Sequence, residues 1–269
     1  MHVFRIGFMV WIAVLSCSAN AQHLSLSTPS DSALHYYYEG WRQVMDEGNY
    51  TASENAYRTM MNFDPEFLVG LSLLGRITRD LNERQKIEAT LLERRDEISG
   101  DERLLLDNYI ALVKLTNLRE TDPDAAKQQL TSIFQSNEKN LRKLVHDYPD
   151  EIYYKSEYIE VLHRNYGAAA ALDSLNQIAS AKQKRMPFLL GYAAHMEAEL
   201  GKFDPALKKA NQLSKLFKYR SAKPLVVFGD IYFQKGDKKK ASDYINKALE
   251  IDPGNIDAQR LKKRLEELN

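Results

Sequence analysis

Side chains able to bind a metal or attack a substrate are few and scattered in this chain. Of its six histidines, His2 and His23 fall near the N-terminus. His35, His146, His163 and His195 each stand without a second His or Cys at ligand spacing. His163 and His195 fall on helical stretches from which they would face a groove. Alone, each is read as a packed or solvated histidine and not as a ligand. A Gly-x-Ser-x-Gly elbow is missing, since Gly70-Leu-Ser-Leu-Leu-Gly75 is one residue too long and lies in a helical pattern. No phosphate-cradling glycine loop follows a strand, because no stretch reads as a strand. The sequence therefore assigns no catalytic residue, no metal site and no cofactor, and the chain is not expected to be an enzyme.

Charge points to surfaces more than to chemistry. The 37 basic and 37 acidic residues cancel, which removes any global pull toward nucleic acid, and no nucleic-acid partner is expected. The distribution is uneven. Residues 22–66 hold seven acidic and two basic side chains, whereas residues 201–247 hold twelve basic and four acidic ones. Lys208, Lys209, Lys215, Lys218 and the run Lys238-Lys239-Lys240 supply much of the basic end. A solvated helical surface is favoured there; the sharper alternative is a patch for acidic partners or anionic lipid.

The first 21 residues read as a secretory signal peptide. His2 and Arg5 precede an apolar run over 6–15, and Ala19-Asn20-Ala21 offers a small-x-small cleavage site before Gln22. The apolar run is too short to span a bilayer. Val14-Leu15-Ser16-Cys17 also resembles a lipobox, although Leu15 is a poor fit to the small residue that precedes such a cysteine by two. Lipid anchoring through Cys17 is therefore the less favoured alternative. Cleavage after Ala21 would leave a mature chain without cysteine, and hence without disulfides.

The elements that must position any site are helices. Twelve glycines and eight prolines in 269 residues, with long Leu/Ala/Glu/Lys runs, favour an all-α chain. Residues 22–33 read as a flexible leader, with Ser32 as a helix N-cap. The clearest pattern lies near the C-terminus. Leu225, Phe228, Gly229 and Tyr232 share one helical face, the chain turns at Gly236, and Ala241, Ile245 and Ala248 share a second face before Pro253. Small residues sit where the two axes would cross, and large ones flank them.

This stretch resembles a tetratricopeptide repeat, a helical hairpin with this signature over 34 residues. A second copy carries Tyr37, Trp41, Gly48, Tyr57 and Pro65, with Trp41 at the position usually held by Gly and Gly40 one before it. Gly75 lies 34 residues after Trp41 and marks a third, degenerate copy with Asn82 at its turn. Two units are thus placed over 34–101, an irregular longer helical pair over 102–151, and three further units over 152–255, the middle one marked by Gly201 and Ala206. Residues 256–269 read as a capping helix for the exposed end.

The resemblance implies a right-handed superhelical solenoid whose ligands lie on a concave face. Carried over residue by residue, that face comprises His35, Tyr38, Arg42 and Met45 in the first unit and Arg76 and Arg79 in the second. Phe188 and His195 follow in the fourth recognisable unit, and Lys223, Asp230 and Phe233 in the last. The implied function is a non-catalytic scaffold for a protein or peptide partner, exported to the bacterial cell envelope and periplasmic once the signal peptide is cleaved. The alternative is a lipid-anchored envelope-assembly or transport accessory that touches membrane through the Lys-rich end.

Overall fold

The structure, a computed structural model, describes residues 23–217 and 220–267; the stretch read as a signal peptide, with Cys17, and Lys218 and Leu268 lie outside them. Twelve α-helices and no strand occur among the described residues. They pair into hairpins: α1 (Asp31–Trp41) with α2 (Tyr50–Phe63), α3 (Leu68–Ile77) with α4 (Leu81–Arg94), and α5 (Gly100–Thr121) with α6 (Pro123–Asp147). α8 (Pro187–Glu199) pairs with α9 (Phe203–Phe217), and α10 (Ala222–Gln234) with α11 (Lys238–Ile251), before α12 (Ile256–Glu267). Between them, α7 (Ile152–Ile178) breaks at Gly167, whose φ of 83° is left-handed. Lys155 Nζ there reaches the Ile178 carbonyl at 3.0 Å. A straight helix would hold those residues about 34 Å apart, so α7 is itself a hairpin.

The first, second and last hairpins close over a glycine. A Cβ added at Gly229 would stand 2.7 Å from Ile245 Cδ1, and one at Gly75 2.8 Å from Ile87 Cγ2. Ala241, Ile245 and Ala248 are fully buried on the facing side, as is Ala206 in the hairpin before. In the first hairpin the crossing residue is Gly40 and not Trp41, because an added Cβ at Gly40 would fall within the Tyr57 ring. Eight residues then lead from Gly40 to the turn at Gly48, against seven from Gly229 to Gly236. The extra residue is absorbed by a π-helical turn over Arg42–Glu47. Upstream of that turn, the register taken from Trp41 is one residue out of phase.

Other boundaries also shift. Ser30 caps α1, accepting from Ala33 N–H at 3.2 Å, so Ser32 lies inside the helix. The turn of the second hairpin lies at Thr78–Asp80, with Asp80 capping α4, which places Asn82 in the helix. Residues 23–30 are docked and not a flexible leader. Leu24 is buried, Ser27 N–H donates to Glu102 Oε1 at 2.8 Å, and Thr28 donates to Asp64 Oδ2 at 2.5 Å.

The stack does not stay open. The turn of the first hairpin is inserted against the C-terminal ones. Asp46 accepts from Tyr153 OH (3.1 Å) and from Phe188 N–H (3.2 Å). Ser221 Oγ donates to the Glu47 carbonyl (2.6 Å), and Asn255 Nδ2 to that of Gly48 (2.6 Å). Asp252 takes both Tyr50 N–H (2.7 Å) and Thr51 Oγ1 (2.6 Å), while Tyr50 OH donates to Asp257 (2.9 Å). Asp252 is 2% and Asn255 0% exposed, so these bonds are shielded from water and leave a costly orphan if one partner is removed. Asn255→Ala or Asp252→Ala should each lower stability by about 1–3 kcal/mol in urea unfolding, and the pair together should increase the radius of gyration. An unchanged unfolding midpoint and radius would mean that the two ends of the stack do not meet.

Candidate functional site

Closure turns the concave face into a cavity of about 490 Å³, within the range of small-ligand sites. At three glycine crossings the residue that follows points inward: Trp41 after Gly40, Arg76 after Gly75 and Asp230 after Gly229. A side chain one step past the crossing lies next to the closely packed seam on the inner surface, so the same position recurs in these three hairpins. Glu160 and His195 line the wall from α7 and α8. Tyr57, Phe188 and Tyr192 add aromatic area, Lys223 adds a cation, and α12 contributes Asp257, Arg260 and Arg264.

Six of the eleven residues carried over to the concave face meet here: Met45, Arg76, Phe188, His195, Lys223 and Asp230. The other five do not. His35 and Tyr38 precede the π-turn and Arg42 opens it, and all three are rotated away by the one-residue slip. His35 is exposed, Tyr38 OH donates to Glu151 Oε1 (3.2 Å), and Arg42 is drawn outward to Glu39 and Glu47. Arg79 lies past the early turn and donates to the Gly254 carbonyl. Phe233 is covered by the Arg264 guanidinium, 4.5 Å from its ring centre.

Sequence reasoning missed Glu160 and Tyr192 as lining residues and treated Trp41 as structural only. Glu160 was legible from the phase of Ala171 and Leu175, fully buried or nearly so on the facing helix. The α12 residues carried no such signal, because a capping helix and a cavity wall have the same amphipathic pattern. His163 and His195, isolated in sequence, are neighbours in space with ring centres 5.4 Å apart.

The charges are graded. Arg76 Nη1 lies 2.7 Å from Glu157 Oε1, and its guanidinium sits 4.7 Å from the Tyr109 ring centre and 5.4 Å from that of Trp41. Burial acts against its charge, but Glu157 outweighs burial and holds it firmly protonated. His195 Nδ1 is 2.6 Å from Asp230 Oδ2. Burial would lower its pKa, yet the Asp230 bond raises it above the ordinary value. His163 moves down, because burial dominates over Glu199. Lys223 Nζ lies 4.6 Å from the Phe188 ring centre, and Phe188 stacks on Tyr192. Lys223, Arg260 and Arg264 form no ion pair among the described residues.

Residues 222–255, the α10–α11 hairpin, match the family model described as tetratricopeptide repeat. Residues 222–255 are a tetratricopeptide repeat. The match covers this one hairpin, where every signature position is filled, and the others repeat its geometry with altered spacing. No curated protein matches the chain at a significant level. Tetratricopeptide repeats are typically non-catalytic interaction modules, and their partners are generally proteins.

Glu160 gives the cavity a pH dependence. Burial, and then repulsion from Glu157, push its pKa up to about 7, with Asp257 adding to this and Lys223 and Arg76 opposing it. The folded chain holds this proton more tightly than the unfolded one. Stability therefore falls as pH rises from about 5 to about 7 and stays reduced above. Glu160→Gln should be more stable than the parent by about 1–2 kcal/mol at pH 8, a figure reduced for water in the cavity, with the difference shrinking toward pH 5. Urea midpoints at the two pH values check this; equal differences at both would place the titration elsewhere.

Proposed function

We propose that this chain is an exported, non-catalytic scaffold that captures a short carboxylate-bearing peptide end in its cavity. One observation carries the proposal: Trp41, Tyr57, Phe188 and Tyr192 line the same pocket as Lys223, Arg260 and Arg264, three cations without an ion pair among the described residues. Aromatic walls favour an apolar side chain, and cations that contact rings but no carboxylate favour an anion at its side. A half-open pocket of about 490 Å³ has room for a chain end or compact segment. Export rests on the signal-peptide pattern of residues 1–21, and a periplasmic destination follows from it.

Membrane docking through the basic end is the weaker alternative. Lys209 is held by Glu197 at 2.5 Å and Lys240 by Asp237 at 3.3 Å, so part of that charge is neutralised internally. No helix among the described residues is long and apolar enough to cross a membrane. Mass spectrometry of the mature N-terminus separates the two forms: Gln22 is expected, and a diacylated Cys17 would establish the anchored one.

Trp41 supplies a direct binding signal, because Trp11 is the only other tryptophan and would leave with the signal peptide. Peptides with a free C-terminal carboxylate should change Trp41 fluorescence in the mature chain, and their amidated forms should bind at least about tenfold more weakly. Phe188→Ala and Lys223→Gln should each weaken binding by a similar factor. Triple reversal of Lys208, Lys209 and Lys215 to Glu should leave it unchanged. Loss of binding in the triple variant alone, or capture by anionic vesicles in its place, would overturn the cavity assignment.

A further inference from the structure

The histidines that lack partners in sequence converge at the rim of the cavity with a carboxylate. His163 from α7 and His195 and Glu199 from α8 bring one ligand atom each to within 4.8 Å of one another. His163 Nε2 lies 2.9 Å from Glu199 Oε2, and His195 Nε2 lies 3.9 Å from the same oxygen. Tetrahedral zinc with its usual bond lengths requires ligand atoms about 3.3 Å apart, so small side-chain rotations would admit an ion. We infer that His163, His195 and Glu199 form a binding site for a divalent transition metal of the zinc class.

Two features separate this cluster from a chance hydrogen bond. First, both imidazoles are oriented from behind. His195 Nδ1 is bonded to Asp230 Oδ2 at 2.6 Å, and Asp230 is itself held by Gln234 Nε2 at 2.8 Å. His163 Nδ1 is bonded to Tyr192 OH at 2.8 Å. A hydrogen bond at the outer nitrogen presents the Nε2 lone pair inward, the arrangement that metal-bound histidines ordinarily have. Second, the frame is rigid. His195 and Glu199 are one turn apart on α8, and α7 packs directly against that helix.

The donor set decides the class of ion. Two imidazoles and one carboxylate suit zinc, cobalt or nickel, whereas calcium and magnesium favour all-oxygen shells. Entry of the ion would displace the proton shared by His163 and Glu199. Three protein ligands would leave a fourth position for water or an incoming donor. His195 also lines the cavity, so that position adjoins the proposed peptide site. Only this last role rests on the peptide-binding proposal; metal binding stands apart from it.

The test uses the untagged mature chain, made metal-free and titrated with zinc against a chromophoric chelator, without any peptide. One equivalent should bind. His163→Gln, His195→Gln and Glu199→Gln should each weaken binding at least about tenfold, and Asp230→Asn about 10–100-fold as an outer-shell change. His23→Gln and His146→Gln should leave it unchanged. Cobalt should give a visible absorption band in the parent that is lost in the His163→Gln/His195→Gln double variant. Circular dichroism checks that each variant is folded, and Glu199, half-exposed on its helix, supplies a variant that should keep the fold. Zinc binding no tighter in the parent than in the double variant would overturn the inference. Peptide binding, read separately from Trp41 fluorescence in chelator, would be untouched by that failure.

Discussion

The contact on which the rest of this molecule depends is the insertion of the first hairpin's turn into the last. Gly48 makes that approach possible. Its left-handed φ of 64° turns the chain sharply, and an added Cβ would stand 3.1 Å from the Lys223 backbone nitrogen. Asp252 and Asn255, both fully shielded, then take up the backbone groups that the turn presents. They do this while also organising their own loop: Asn255 accepts from Ala258 N–H at 2.7 Å to cap α12. Cap formation and closure thus use the two ends of the same side-chain amide.

Closure changes what the concave face can do. An open solenoid offers a long trough with solvent along one side, and its charges are screened accordingly. Here the inner surface is folded into a small volume with aromatic walls. Within it Arg76 remains charged because Glu157 lies beside it, and Glu157 in turn accepts from Tyr109 OH at 2.9 Å. Glu160 has no such cation in contact and drifts toward neutrality. Glu157 and Glu160 stand one helical turn apart on α7, and only Glu157 has a guanidinium bound to it.

The third hairpin serves the closure by its length. α5 and α6 run 22 and 25 residues, far beyond the 13 and 14 of α10 and α11. Tyr109 on α5 supports both Arg76 and Glu157 from outside the cavity. The N-terminal segment 23–30 crosses the backs of these hairpins and joins Glu102, Asp64 and Glu151. It ties the long pair to its neighbours without entering the cavity.

Local pattern was enough to define the hairpins. The Gly229–Ile245 crossing, the turn at Gly236 and the Pro253 terminator are short-range features, and each is written in residues a few positions apart. The same holds for the capping of α6 by Asp122 after a long apolar helix. Sequence also determined which helical face would turn inward wherever the 34-residue phase was intact, as at Arg76, His195 and Asp230. It failed at Arg42 because a single inserted residue was absorbed as a π-turn, and a helix can take up such an insertion in more than one place. What tertiary structure alone decided is which hairpins meet. The bond from Asn255 to Gly48 joins residues far apart in the chain, whose pairing depends on small rotations accumulated over the whole stack, whereas His163, His195 and Asp230 meet through the packing of neighbouring hairpins. No local pattern encodes either, so the cavity and the convergence of His163 with His195 appear only in three dimensions.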